Sequence, residues 1–335
     1  MDYYKLDLDN KIRIRHKYSD SFIAHLGIYI NVGSRDEYNN EEGLAHFIEH
    51  TFFKGTKRRN VFQLLSRMEN VGGEVNAFTT KEETCIYISF LPRYYKRAAE
   101  LLADVLFNSI FPYKEIEKEK DVIIDEIHSY KDDPQELIYD EFEELLFAGH
   151  SLSHSILGEP EIIKSFSKNK IINFIKRNYV NQNIVICSVG KIKFNNLVHI
   201  LQKYFLQSLT DKESNKREFF QNKNSKFIVE KIKNVNHSHC IIGSIAYNNK
   251  DKKRIPFTLV DNFLGGPTMT SRLSLQIREK YGYSYNIYSS YIPFCDTGVF
   301  NIYFSCENEN VNKIIELIRK ELNKLCEIKL GPIQL

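Results

Sequence analysis

The polar segment SLTDKESNKREFFQNKNSK (208–226) constrains the fold most, because the chain shows the same kind of pattern on both sides of it. The segment has no apolar periodicity, which is typical of a linker between domains. Before it, stretches such as TCIYISFL (84–91) predict strands between long helices. After it, KFIVEKI (226–232) and TGVFNIYFS (297–305) again predict strands, and helices accompany them.

A chain of 335 residues suits two domains of ordinary size. We therefore predict the α+β fold class, with two similar domains that are each a mainly antiparallel sheet packed with helices. The first domain is expected at 1–208, the linker at 209–225 and the second domain at 226–335.

Composition excludes several kinds of partner. The 46 basic and 43 acidic residues leave a formal charge of +3, so no strong field indicates nucleic acid or an anionic membrane. The six cysteines are scattered without a C-x-x-C pair, which favours reduced thiols in a cytosol-like compartment. The N-terminus MDYYKLDLDNKIRIRH lacks the apolar stretch of a secretory signal, and no apolar run approaches the roughly 18 residues of a membrane span. We predict a cytoplasmic protein with no nucleic-acid partner and no membrane span.

The stretch HFIEH carries the first candidate site. A helix is predicted from about 41 to 54, with Asn39 and Asn40 as candidate caps. On it His46 and His50 share one face, so both could hold one metal ion, and Glu49 flanks that face as a candidate base. The order H-x-x-E-H is that of a group of zinc peptidases. The alternative is that these are ordinary polar residues on an ordinary helix.

A catalytic zinc ion needs a third protein ligand. The helix between Pro112 and Pro134 offers two candidates, because Glu119 and Glu126 fall within about 20° of each other on its apolar stripe. Carboxylates on an apolar stripe are costly unless a cation meets them. That cation could be Lys or Arg in an internal salt bridge, but beside HFIEH a metal ligand with a second carboxylate behind it explains the pair better.

These motifs resemble the pitrilysin family of zinc peptidases, which includes insulin-degrading enzyme and the mitochondrial processing peptidase. In that family a glutamate ligand follows the second histidine of the inverted motif by about 76 residues, and another glutamate precedes it by seven. Here Glu126 follows His50 by 76 residues and Glu119 precedes Glu126 by seven. The resemblance implies one zinc ion per chain held by His46, His50 and Glu126, with Glu49 as general base. Glu119 would orient and tune the ligands.

Two further stretches resemble the family. GGEVNAFTTKEETCIYISF is similar to its edge strand, which implies that Asn76, Ala77 and Phe78 bind an extended peptide by strand addition. LGGPTMTSRLSLQIREKYGYSYNIYSS is similar to the segment that supplies an arginine and a tyrosine to the substrate, which implies these roles for Arg278 and Tyr285. The two domains would enclose a cleft.

The implied function is a zinc-dependent endopeptidase that hydrolyses extended or unfolded polypeptides. The alternative is a non-catalytic structural or assembly subunit on the same scaffold. The resemblance leaves three assemblies open, namely a large single chain, a homodimer and a heterodimer with a related subunit. Family members of the small type usually continue for several helices beyond the equivalent of LGPIQL (330–335). Either the second domain is truncated there, or those helices are dispensable.

Overall fold

The structure, a computed structural model, describes residues 3–207, 209, 216–221, 226–233, 235–329 and 331. Its strands are β1 (Tyr4–Asp7), β2 (Arg13–Tyr18), β3 (Ala24–Ile30), β4 (Glu74–Thr79), β5 (Thr84–Phe90), β6 (Ile184–Gly190), β7 (Ser238–Ile245), β8 (Asn286–Pro293) and β9 (Gly298–Cys306). Its α-helices are α1 (Leu44–Thr51), α2 (Val61–Glu69), α3 (Tyr95–Asn108), α4 (Tyr113–Asp132), α5 (Pro134–Leu146), α6 (Pro160–Lys164), α7 (Lys168–Asn178), α8 (Phe194–Phe205), α9 (Arg254–Gly265) and α10 (Val311–Glu327). Among the described residues, no helix is both long and apolar enough to cross a bilayer.

The chain forms two compact units. The first consists of Met1–Ser129 and Gly149–Glu218, and the second of Tyr130–Ala148 and Phe219–Leu335. This division differs from the expected boundaries at 208 and 226, because residues 130–148 belong with the second unit. Aromatic contacts explain the difference, since Tyr139 of α5 stacks on Tyr303 of β9 with ring centroids 5.8 Å apart. Much of the expected linker, residues 210–215 and 222–225, lies outside the described part of the chain.

The first unit is built on a six-stranded sheet in the order β1-β2-β6-β3-β5-β4. Its pairings are antiparallel except for the parallel pair β2–β6. Alternate strand residues such as Ile28, Ile86 and Ile186 are fully buried, and they join one hydrophobic core with the apolar faces of α1, α3 and α8. Burial of one side of an amphipathic helix against a sheet is what holds these helices in place.

The second unit has a three-stranded antiparallel sheet in the order β7-β9-β8. Its core contains Ile302 and Phe304 of β9 with Ile314 and Ile318 of α10. In each unit a β-hairpin is followed by a 3-10 turn and a long helix. The hairpin β4–β5 precedes α3 in the first unit, and the hairpin β8–β9 precedes α10 in the second. The prediction of two similar α+β domains with mainly antiparallel sheets is therefore confirmed.

The prediction of a strand at 226–232 is wrong. Residues 226–232 are described without strand structure, and the side chains of Ile228 and Ile232 are 100% and 97% exposed. Among the described residues β7 pairs only with β9. Alternation of apolar and charged residues favours a strand, but a strand also needs a hydrogen-bonded neighbour, and this segment has none in the part of the chain that the structure describes.

Candidate metal centre

Helix α1 carries HFIEH, and its first turn is held by a buried carboxylate. Glu37 accepts hydrogen bonds from the backbone N–H groups of Gly43 (2.9 Å) and Ala45 (2.7 Å). Burial raises the pKa of Glu37 well above its ordinary value, although these two hydrogen bonds oppose the rise. Gly43 precedes the helix with φ = 88°, a left-handed conformation that favours glycine. The helix therefore begins at Leu44, later than the predicted start near 41, and neither predicted asparagine caps it.

The three predicted ligands converge. Donor atoms of His46, His50 and Glu126 all lie within 4.8 Å of one another. The two imidazole centroids are 4.5 Å apart, and His50 Nε2 is 3.8 Å from Glu126 Oε2. Ligands at about 2.0–2.1 Å from a tetrahedral zinc ion lie a little over 3 Å apart, so small side-chain adjustments would bring this set to coordination geometry.

His50 is oriented by Glu119. Its Nδ1 donates to Glu119 Oε1 at 2.9 Å, and because an ionised carboxylate only accepts, the proton of neutral His50 belongs on Nδ1. The lone pair of Nε2 then faces Glu126. Burial lowers the pKa of His50, but the hydrogen bond and charge of Glu119 outweigh it, with help from Glu49 and Glu126, and the pKa is raised.

Lys54 completes this network, and its role was not predicted. Its Nζ lies 2.6 Å from Glu119 Oε2, so the nearly buried Glu119 has one cationic and one imidazole partner. Burial raises the pKa of Glu119, yet the hydrogen bonds from His50 and Lys54 lower it more, and the net shift is downward. Glu119 therefore stays ionised and can keep accepting from His50.

His46 has the chemistry of a neutral ligand. Burial, and then the nearby charge of His50, lower the pKa of His46 to about 4. Its Nδ1 is buried and has no hydrogen-bond partner among the described residues. A buried orphan nitrogen is costly, and a neutral imidazole beside a second imidazole and a carboxylate is a donor set that suits zinc. The residues present therefore fit a zinc ion.

Glu49 lies beside this set and is held by β4. Thr79 Oγ1 donates to Glu49 Oε2 at 2.7 Å. Burial raises the pKa of Glu49, against the lowering effects of Thr79 and His50. A raised pKa makes the carboxylate a stronger base, which favours the role of general base. Thr79 was also not predicted to matter, because only a contact across the fold reveals it.

Strand β4 carries Asn76, Ala77 and Phe78 on an edge of the sheet. Among the described residues β4 pairs only with β5, so its other edge is available for hydrogen bonding. Asn76 is exposed and its side-chain nitrogen donates to Glu74 Oε1. Phe78 is 38% exposed and makes an edge-to-face contact with Tyr87 at 6.3 Å.

Arg278 and Tyr285 belong to the second unit. Arg278 lies in a π-helical turn, Ser274–Glu279, and Tyr285 precedes β8 with 78% of its surface exposed. The guanidinium carbon of Arg278 is 5.0 Å from the centroid of the Tyr285 ring, a cation–π arrangement, and its Nε is 3.2 Å from Glu279 Oε1. The two residues thus contact each other, and their roles toward a substrate stay a prediction.

The fold and the HFIEH motif are those of a class of metallopeptidases. Comparison with known protein families identifies the family. The chain belongs to peptidase family M16. Residues 14–160 match the family model described as Insulinase (Peptidase family M16), and residues 165–331 match the model described as Peptidase M16 inactive domain.

Several relatives align with most of this chain. An uncharacterized zinc protease of Rickettsia felis is 33% identical over 92% of this chain and 74% of its own length. An uncharacterized zinc protease of Streptomyces coelicolor is 30% identical over 91% of this chain and 67% of its own. The mitochondrial-processing peptidase subunit beta of Bos taurus is 29% identical over 95% of this chain and 67% of its own.

Solved structures agree in fold. The crystal structure of a protease from Helicobacter pylori matches with a TM-score of 0.94 at 20% identity, over 99% of this chain and 82% of that one. The peptidase M16 inactive domain from Pseudomonas fluorescens matches with a TM-score of 0.90 at 17% identity, over 100% and 81% of the two chains. At these identities the likeness concerns the fold.

Proposed function

We propose that this protein is a zinc-dependent endopeptidase that cleaves extended or unfolded polypeptides, with one zinc ion per chain. The observation that carries the proposal is the convergence of His46, His50 and Glu126 within 4.8 Å, with Glu49 next to them. When bound, the zinc ion would lower the pKa of water and polarise the scissile carbonyl.

The chain's own residues would do the rest. Glu49, oriented by Thr79, accepts a proton from the attacking water and later donates it to the leaving amine. His50 keeps its proton on Nδ1 because Nδ1–H donates a hydrogen bond to Glu119, so Nε2 stays free as a ligand atom. The half-buried position of Glu49 limits solvation of its charge and keeps its proton affinity high.

The substrate would bind as an added strand on the free edge of β4, at Asn76, Ala77 and Phe78. Main-chain hydrogen bonds to an edge strand require an extended peptide, so unfolded segments are favoured over folded proteins. Arg278 and Tyr285 would contact the substrate from the second unit. The proposal includes a cytoplasmic location and assembly as a homodimer or as a heterodimer with a related subunit, the latter supported by the relationship to a processing-peptidase subunit.

A peptide-library digest tests the proposal. Purified protein is incubated with the library with and without a chelator, and zinc content and oligomer mass are measured in parallel. We expect chelator-sensitive cleavage, and we expect Glu49→Gln to lose at least about a hundredfold in kcat while it keeps its zinc. Glu69→Gln, an exposed glutamate on α2, is the matched control and should retain full activity.

Two results would overturn it. Full activity of zinc-loaded Glu49→Gln would remove Glu49 as the base. A zinc-loaded wild-type protein that cleaves no library member, alone or in its assembled state, would favour the non-catalytic subunit instead.

A further inference from the structure

An arginine-lined pocket lies on the first unit, between α2, the start of α3 and the loop before α2. Its volume is about 320 Å³, and Arg58, Arg59, Arg67 and Arg97 line it. None of these residues has a part in the proposed peptidase chemistry. Four guanidinium groups around one small polar pocket repel one another unless anions compensate them.

Two carboxylates compensate part of this charge from beneath. Arg59 Nη2 donates to Glu100 at 2.7 Å and its Nη1 to Asp104 at 2.5 Å, and Arg67 Nη2 donates to Glu100 at 3.1 Å. The side chain of Asp104 is fully buried and that of Glu100 is 13% exposed, so both lie behind the guanidinium groups. Among the residues that the structure describes, no carboxylate lines the pocket itself, which leaves an excess of two positive charges around it.

The guanidinium groups keep unused donors. Arg58 is 58% exposed in its side chain, and its Nε is 3.9 Å from Asp104, beyond hydrogen-bond distance. Arg97 Nη1 donates a hydrogen bond to the backbone oxygen of Arg67. Arg67 Nε is buried without a hydrogen-bond partner among the described residues. Each guanidinium carries five N–H donors, so most donors of these four arginines have no hydrogen-bond partner among the described residues.

Neutral donors complete the lining. Gln63 and Ser66 lie three residues apart on α2, on the same face as Arg67, and both line the pocket together with Asn70. Arginine forks and hydroxyl or amide groups are the side chains that bind phosphate oxygens with geometric fit. A phosphate monoester carries about −1.5 to −2 charges at pH 7, which matches the excess of two.

We propose that this pocket binds the phosphate group of a small phosphate monoester. Arg58 and Arg59 of the loop, Arg67 of α2 and Arg97 of α3 all line the pocket, so a bound anion would connect this loop to both helices. The volume is sufficient for one phosphate group with a small organic part.

Calorimetric titration at low ionic strength tests the proposal, with inorganic phosphate and ribose 5-phosphate as separate probes. The full chain is used with its metal site emptied by a chelator, so that phosphate coordination to zinc cannot contribute and the result does not depend on peptidase activity. We expect both probes to bind, with the monoester tighter, and with binding lost on addition of salt.

Matched variants give the decisive comparison. Arg58→Gln should weaken binding about tenfold, because a charge-assisted bidentate contact is lost while the buried carboxylates keep their partners. Arg93→Gln changes the net charge equally but lies outside the lining and stacks on Tyr94, so it should leave binding unchanged. Equal weakening by the two variants, or no binding of either probe at millimolar concentration, would overturn the proposal. Tighter binding of inorganic phosphate than of the monoester would limit the ligand to the free anion and contradict the monoester assignment.

Discussion

Thr79 offers the sharpest test of how Glu49, the proposed general base, is controlled. Its hydroxyl donates to Glu49 Oε2 at 2.7 Å and opposes the effect of burial, which raises the pKa of Glu49. Thr79→Val removes the hydroxyl and keeps the branched shape. We expect the pKa of Glu49 to rise further in this variant, because the ionised carboxylate loses a hydrogen-bond donor.

The magnitude follows from the hydrogen bond. A hydrogen bond to a charged group contributes about 1.5–3 kcal/mol, and the half-buried position of Glu49 argues for the low end. About 1.4 kcal/mol is a factor of ten in an equilibrium constant. Since a base must be ionised to act, the acidic limb of kcat/KM moves to higher pH, and the rate on that limb falls about tenfold. At pH values well above the limb the two proteins should differ much less.

A fluorogenic peptide assay across pH measures this effect. The zinc content of each protein is determined first, so that a change in metal loading is not read as a change in the base. Thr79→Ser is the matched control, because it keeps the hydroxyl and should keep the limb near that of the wild type. An unshifted limb in Thr79→Val, or the same shift in Thr79→Ser, would refute the assignment of Thr79 to the base.

Two further predictions concern the supports of the metal centre. Lys54→Met should weaken zinc binding about tenfold in competition with a fluorescent chelator, because Glu119 loses the partner that stabilises its charge. Lys57 is an exposed lysine nearby, and Lys57→Met should leave zinc binding unchanged. Equal effects of the two variants would contradict the role of Lys54. Gly43→Ala should lower the free energy of unfolding, measured with urea, by about 2–4 kcal/mol, because φ is left-handed there and the added Cβ would lie 2.5 Å from a backbone oxygen. Gly72 also has a left-handed φ but no heavy atom within 4 Å of the added Cβ, so Gly72→Ala should lower it by only about 1 kcal/mol.

Local sequence signals were sufficient to predict α4, the helix that carries Glu119 and Glu126. Pro112 and Pro134 predict its limits, and α4 runs from Tyr113 to Asp132. A single helix has a fixed rotation per residue, so the shared face of Glu119 and Glu126 could be read without any tertiary information.

Contacts between distant segments could not be read in this way. Lys54 meets Glu119 across 65 positions of the chain, and Thr79 meets Glu49 across 30. Nothing periodic marks either pair, and both residues lie in stretches that the family resemblance covered without giving them a role. The start of α1 was misjudged for a related reason, because its first N–H groups are satisfied by Glu37 from outside the helix instead of by the asparagines next to it.

The two explanations considered for the carboxylates of α4 apply to different residues. Glu119 is buried, and it has both the lysine partner expected of an internal salt bridge and the histidine contact expected beside a metal ligand. Glu126 is 44% exposed in its side chain, so the cost of burying a charge does not account for it. Its carboxylate lies within 4.8 Å of the donor atoms of His46 and His50, as the metal hypothesis expects. A salt bridge alone would require only Glu119, and the second carboxylate is what the metal hypothesis adds.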